Sequence, residues 1–177
     1  MLMALVGSTT FAQGTVSGSG AFKGRTYVNS FLGLSITPAP TLEWAQKIRI
    51  PKNENTILLV QAWGENRLLR GRAGTVVSAD RLSFYPEGQR SEEAYLRKVV
   101  RVYREQGYEV VHERVEDQIG KQKFVRADFA KNLARLTVLV TTRKGYALAL
   151  IFGGSNDIEV NEIIHSTVFT FSDQQEP

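Results

Sequence analysis

One stretch carries a helical period. From Ser91 to Gly107, the apolar positions Tyr95, Val99, Val102 and Tyr103 recur at three- and four-residue spacing, which predicts a helix with one stripe against a sheet. Ser91 stands where a hydroxyl accepts from the first-turn amides, Glu92 and Glu93 complement the positive end of the dipole, and Gly107 closes the segment. The opposite face carries Arg97, Lys98, Arg101 and Arg104.

Elsewhere the pattern is that of strands. Residues 27–37 are rich in β-formers and stop at Pro38 and Pro40, which cannot donate to a ladder; Trp44 follows as a core plug. Residues 57–63 are nearly continuously apolar, as in a central strand covered on both faces. Gly64, Gly71 and Gly74 punctuate an irregular stretch, residues 76–85 predict a further strand, and Pro86, Glu87 and Gly88 form a turn before the helix. Two hairpins follow. The first joins residues 108–115 to 124–129 through Gly120 and Lys121, and the second joins 136–142 to 146–152 through Arg143, Lys144 and Gly145. In the return strand, Tyr146, Leu148, Leu150 and Phe152 alternate with Ala147, Ala149 and Ile151, a small face against which a helix can pack closely. Gly153 and Gly154 break that strand, Asn156 or Asp157 caps a helix through Ser166, and residues 168–171 return as a short strand.

Both ends of the chain read differently. The apolar run from Met1 to Gly7, too short to span a bilayer, precedes Thr10 and Ala12 at the small positions before a cleavage point, so residues 1–12 read as a truncated signal peptide; no Lys or Arg stands before the run. Residues 13–26, rich in Gly and Ser, predict a flexible leader, 27–172 a single globular domain, and 173–177 a polar tail. The expected address is the periplasm or the extracellular medium, with no membrane span.

Composition mainly excludes. With 177 residues, 42% hydrophobic and 23% charged, the chain can build one core without staples. Cys 0 removes disulfides, thiolate nucleophiles, cysteine-based metal sites and a lipid anchor on cysteine. Lys+Arg 22 against Asp+Glu 18 gives net +4, an excess that favours anionic surroundings but is less clustered than a nucleic-acid footprint, so no nucleic-acid partner is expected.

The order of elements and some local wording resemble a known fold. "YVNSFLGLSITPAPTLEW" is similar to the opening strand and proline-tryptophan turn of PsbP-like proteins. The blocks "YEVVHERVEDQIGKQKFVRADF", "LTVLVTTRKGYALALIFGG" and "IIHSTVFTF" resemble their later hairpins and closing helix. The resemblance spans residues 27–171, with Gly33, Trp44, Gly145, Tyr146 and Phe169 or Phe171 at matching positions. It implies an α/β (α+β) PsbP-like α/β/α sandwich, a twisted, mainly antiparallel sheet flanked by helices. That fold is shared by the extrinsic oxygen-evolving subunit, a Ran-binding import factor and bacterial envelope proteins. It implies docking onto a larger partner, and it carries no catalytic set or cofactor to this chain.

Candidate chemistry is sparse. His112, Arg114 and Glu116 share a strand face by the two-residue period, either a histidine-carboxylate site or an exposed face of mixed charge. His165 stands at the negative end of the last helix as a cap or surface group. No G-x-S-x-G elbow or P-loop occurs. The glycines of "RGRAG", residues 70–74, offer a small basic loop for an anion, and Gly153 with Gly154 leads into a helix N-terminus, a generic anion site. The densest feature is the basic face of Arg97, Lys98, Arg101 and Arg104, read either as a solvated helix face or as a surface for an acidic partner or anionic envelope polymer. The expectation is a non-catalytic extracytoplasmic module that docks on an envelope protein through these four residues. The alternative is a small-ligand or metal-binding domain with a pocket between sheet and helices.

Overall fold

The structure is a computed structural model that describes residues 16, 19–45, 55–66, 71–119 and 121–172. The expected signal segment, 1–12, and the polar tail, 173–177, lie outside the described residues.

Among the described residues, eleven strands form two antiparallel sheets, against which two α-helices pack. The smaller comprises β1 (Gly20–Lys23), β2 (Thr26–Asn29), β3 (Leu34–Thr37) and β11 (Val168–Phe171), in the order β1-β2-β3-β11. The larger comprises β4 (Glu43–Trp44), β5 (Thr56–Asn66), β6 (Gly71–Arg81), β7 (Glu109–Ile119), β8 (Gln122–Lys131), β9 (Ala134–Arg143) and β10 (Tyr146–Gly154), in the order β4-β5-β6-β10-β9-β8-β7. Helix α1 (Glu92–Glu105) covers one face of β7, β8 and β9, and α2 (Asp157–Ser166) packs on β10 from the other side.

Alternation on the large sheet divides the core in two. Val125, Ala127, Phe129, Val138 and Val140 join Tyr95, Leu96 and Val100 of α1 on one side. On the other, Phe124, Leu139, Leu148, Leu150 and Phe152 join Val160, Ile163 and Ile164 of α2 and the inward residues Tyr27, Leu34 and Ile36 of the small sheet. The expected layering is present, with a second sheet beside α2 that the sequence reading merged into the first. The single strand expected over 27–37 is the hairpin β2-β3: the Asn29 carboxamide accepts from Leu32 N at 3.0 Å, and Gly33, at φ +63°, turns the chain back.

The stretch read as a flexible leader contributes structure. β1 pairs with β2 from Gly20↔Asn29 to Lys23↔Thr26, and Val16 is buried, its carbonyl accepting from the Asn29 carboxamide at 2.8 Å. Backbone pairing and a few apolar anchors order a segment whose composition is weakly hydrophobic; Phe22 lies against Tyr27 and Trp44. Trp44 itself is half-buried, donating from Nε1 to Arg25 O at 2.7 Å, so it borders the core instead of plugging it. Gly64, Gly71 and Gly74, expected in an irregular stretch, lie within β5 and β6, where Trp63 and Gly74 face each other across the ladder.

Helix α1 follows its period closely. The Ser91 hydroxyl accepts from Ala94 N at 3.2 Å, and Gly107 takes φ +82° just past the end. Val102 is an exception on the expected stripe: it is exposed, and Leu96 and Val100 take the buried positions. The turn joining β9 to β10 places Lys144 at φ +46° and Gly145 at φ +78°, the conformation two-residue hairpins favour. The small face of β10 packs with Leu82 and the α1 residues, while α2 covers its large face.

Candidate functional site

Three of the four basic residues of α1 converge. Arg97 and Arg101 are exposed and Lys98 half-buried; with Tyr85, Gln89 and Ala94 they line a depression of about 250 Å³. Its far wall is the turn after β6, held by Arg90 Nε donating to Tyr85 O at 2.9 Å. Lys98 donates its ammonium to the Tyr85 hydroxyl and lies 4.5 Å from the Tyr85 ring centroid, so the aromatic side chain fixes one cation of the rim. Arg101 meets Glu105 only at 4.0 Å, with both side chains well exposed, a contact worth little in water. Arg104 does not join them. It is drawn to β7, where Nη2 donates to Glu113 Oε2 at 2.9 Å. Sequence spacing placed the four on one face; only the strand beside the helix decides which of them is neutralised.

A second polar cluster sits on the opposite face of the sheet, between β7, β8 and the start of α2. Two bulges, at Val110/His112 and Glu113/Val115, interrupt the β7-β8 register, with Arg114 at φ +57°. They break the two-residue period that would have put His112, Arg114 and Glu116 side by side. His112 instead stands opposite Asp128, its Nδ1 3.1 Å from Asp128 Oδ2. Asp128 also accepts from Thr137 Oγ1 at 2.6 Å and from Arg126 Nε at 2.9 Å, and Arg126 Nη1 reaches Asp117 at 3.2 Å. Bonds from both carboxylates and their charge raise the pKa of Arg126 above its ordinary value, overcoming the burial that opposes it. His112, Arg126, Asp128 and Thr137 line a furrow of about 170 Å³ whose other wall is formed by Asp157, Val160 and Asn161.

The remaining expectations resolve simply. Gly71, Arg72, Ala73 and Gly74 of the "RGRAG" stretch belong to strand β6, and Arg70 lies outside the described residues. The amides at the start of α2 are already served: Asn156 Oδ1 accepts from Glu159 N at 2.9 Å, and Glu159 Oε2 accepts from Ser155 N and Oγ, each at 2.6 Å. The chain's own carboxylate therefore fills the expected anion position. His165 Nδ1 donates to Asn161 O at 2.7 Å, one turn back on α2. Among the described residues no group of three or more His, Asp or Glu is arranged to hold a metal ion.

A third polar pair is buried beneath α1. The Tyr95 hydroxyl donates to Asp80 Oδ2, and Asp80 is 4% exposed with Oδ1 lacking a hydrogen-bond partner among the described residues. Burial and the adjacent Asp80 carboxylate push the Tyr95 phenol far above its ordinary pKa.

No family model matches the chain, and no curated protein matches it. Solved structures do. The solution structure of cyanobacterial PsbP (CyanoP) from Synechocystis sp. PCC 6803 aligns with a TM-score of 0.55 at 11% identity, over 94% of this chain and 99% of that one. A crystal structure from Bacteroides thetaiotaomicron VPI-5482 is more distant, with a TM-score of 0.44 at 12% identity, over 88% of this chain and 51% of that one. At 11% identity no residue role transfers, and the likeness is one of fold, over nearly the full length of both chains. This chain has a PsbP-like fold.

Proposed function

We propose that this chain is a non-catalytic accessory domain that works outside the cytoplasm and docks through the basic depression on α1 onto an acidic surface of an envelope protein. The observation that carries the reading is the convergence of Arg97, Lys98 and Arg101 around one concavity, with Tyr85 holding Lys98 in place. Guanidinium forks and an ammonium on one rigid helix suit planar carboxylates. Arg104, expected in the same surface, is assigned to the helix-strand contact with Glu113 instead. The extracytoplasmic address rests on the reading of residues 1–12 as a signal; among the described residues no helix is long and apolar enough to cross a membrane.

The test is affinity capture from cross-linked envelope extract with the parent chain and with Arg97→Gln/Lys98→Gln/Arg101→Gln. The parent is expected to retain a stoichiometric protein at low salt and lose it as ionic strength rises, while the triple variant loses capture and most of the salt dependence. Arg104→Gln should capture like the parent. Equal capture by parent and triple variant at low salt would refute this surface, and N-terminal sequencing of the exported protein, expected to begin at Gln13, tests the address.

A further inference from the structure

The two sheets meet at one end in a cluster of cations mounted on aromatic rings. Arg81, the last residue of β6, is exposed and donates from Nε to the Tyr146 hydroxyl at 3.2 Å. Its guanidinium carbon lies 5.6 Å from the Phe84 ring centroid and 5.8 Å from that of Tyr146. Lys144, at the tip of the β9-β10 turn, is exposed and lies 5.4 Å from the centroid of Phe31, whose ring meets Tyr146 edge-on at 5.9 Å. Register sets this row: Arg81 and Arg143 are the cross-strand partners of Tyr146 on β6 and β9, so the three share one face. Arg143 lies 5.3 Å from the Phe171 ring and donates to Ser172 O at 2.9 Å. Backbone bonds from Leu82 N to Gly145 O, at 2.9 Å, and from Ser172 N to Gly33 O, at 2.8 Å, tie these turns and strand ends together.

The rings hold the cations without neutralising them. Arg104, Arg114, Arg126 and Arg135 each meet a carboxylate, whereas neither Arg81 nor Lys144 has an ion pair among the described residues. A cation over a ring face keeps its whole charge. Of the carboxylates close in sequence to the cluster or to its cross-strand partners, Glu92 accepts from Thr142 N at 3.2 Å and from its hydroxyl, Asp80 is buried against Tyr95, and Glu87, beyond Phe84, is exposed. Phe84 stands 56% exposed beside the Arg81 guanidinium, and such a ring gains by leaving water. Cations interleaved with an exposed aromatic on turn tips suit a surface that is anionic outside and apolar beneath.

We propose that this end of the molecule is a peripheral membrane contact, seated on an anionic bilayer with Arg81 and Lys144 among the lipid phosphates and Phe84 at headgroup depth. The contact is separate from the α1 depression and orients the domain with its β9-β10 turn toward the bilayer.

The test is flotation of the full chain with vesicles of phosphatidylcholine and phosphatidylglycerol in equal parts, against phosphatidylcholine alone. Residues 1–12 are common to parent and variants, so differences among them report the cluster. Phosphatidylglycerol is expected to strengthen binding. Arg81→Gln/Lys144→Asn, with asparagine chosen because it tolerates the φ of +46° at that position, should weaken it roughly twenty-fivefold, about fivefold per cation. Phe84→Ser should weaken it roughly tenfold. Should the double variant fold poorly, Arg81→Gln alone serves. Lys131→Gln, which removes an exposed cation held over the Tyr108 ring at the opposite end of β8, should bind like the parent. Because the chain has Cys 0, Phe84→Cys accepts a unique environment-sensitive label, expected to shift to the blue and to be quenched by nitroxide-labelled lipid. The same label on Ile158→Cys, at a position 72% exposed on α2 beyond the far end of β10, should remain unquenched. No gain from phosphatidylglycerol, undiminished affinity in Arg81→Gln, an equal loss in Lys131→Gln, or the same label shift with polyglutamate or inorganic phosphate in place of vesicles would each overturn the proposal.

Discussion

Replacing Tyr95 by Phe removes one oxygen and leaves the packing of the ring unchanged, yet the structure makes it costly. Asp80 is 4% exposed, its Oδ2 accepts the Tyr95 hydroxyl, and its Oδ1 has no partner among the described residues. Without the hydroxyl, a buried carboxyl group is left with no hydrogen bond to protein. Losing a hydrogen bond to a charged group costs about 1.5–3 kcal/mol, and stranding a buried charge costs about 3–5 kcal/mol. The expected loss is therefore about 3 kcal/mol, which for a chain of this length lowers Tm by about 6–12 °C. Urea unfolding followed by far-UV circular dichroism gives the free energy, and calorimetry the midpoint. Asp80→Ala in the Tyr95→Phe background removes the stranded group, so the double variant should be less damaged than the two single losses added together, by at least about 1 kcal/mol. A Tyr95→Phe protein within about 0.5 kcal/mol of the parent, the range of ordinary surface changes, with additive double-variant behaviour, would refute the dependence of Asp80 on Tyr95.

Three further outcomes follow from the same reasoning. Gly33→Ala places a Cβ 2.3 Å from the Ser172 carbonyl at a residue with φ +63°, so the urea midpoint should fall by the equivalent of at least about 1–2 kcal/mol. Ser91→Ala leaves the Ala94 amide without its side-chain acceptor and should cost about 1 kcal/mol, whereas Ser91→Asp should retain most of the stability. Burial raises the phenols of Tyr27, Tyr95 and Tyr103 in the folded chain, that of Tyr103 to about 12. A raised folded pKa stabilises fully below the unfolded value of about 10 and is lost as pH climbs toward the folded one, so denaturation midpoints should hold to about pH 9.5 and fall between about pH 10 and 12. A midpoint constant across that window would refute the burial of these rings.

What the sequence made legible depended on the range of the interaction. The α1 cap at Ser91, its stop at Gly107, the Asn156 cap and the Lys144-Gly145 turn are local events, and each occurs where hydroxyl, carboxamide or glycine chemistry places it. Alternation along β10 gave two faces correctly, yet not which helix each would meet, because that depends on the chain crossing the sheet twice. The formation of β1 was hidden: the strand is exposed along its length and is held by backbone pairing with β2, which leaves little trace in hydrophobic pattern. The candidate sites divide the same way. Arg97, Lys98 and Arg101 are legible as a helical face, whereas the removal of Arg104 by Glu113 and the pairing of His112 with Asp128 depend on register. The bulges at Val111 and Arg114 shift that register by one residue each, and their sequence signal is slight, since neither position is a glycine.

Those bulges also bear on solubility. β7 is an eleven-residue strand at the end of the large sheet, with Val111 and Val115 about half exposed, the kind of border that invites strand-to-strand addition and fibrillar growth. Two kinks within that length prevent a straight ladder from propagating along it, and Glu109, Glu113, Arg114 and Glu116 add charge to the same rim. Deleting Arg114 would remove the second kink and straighten the lower half of the strand, with Val115 still opposite Arg126. The irregular backbone that orients a histidine on one side of the sheet thus also protects the chain from its own copies at high concentration.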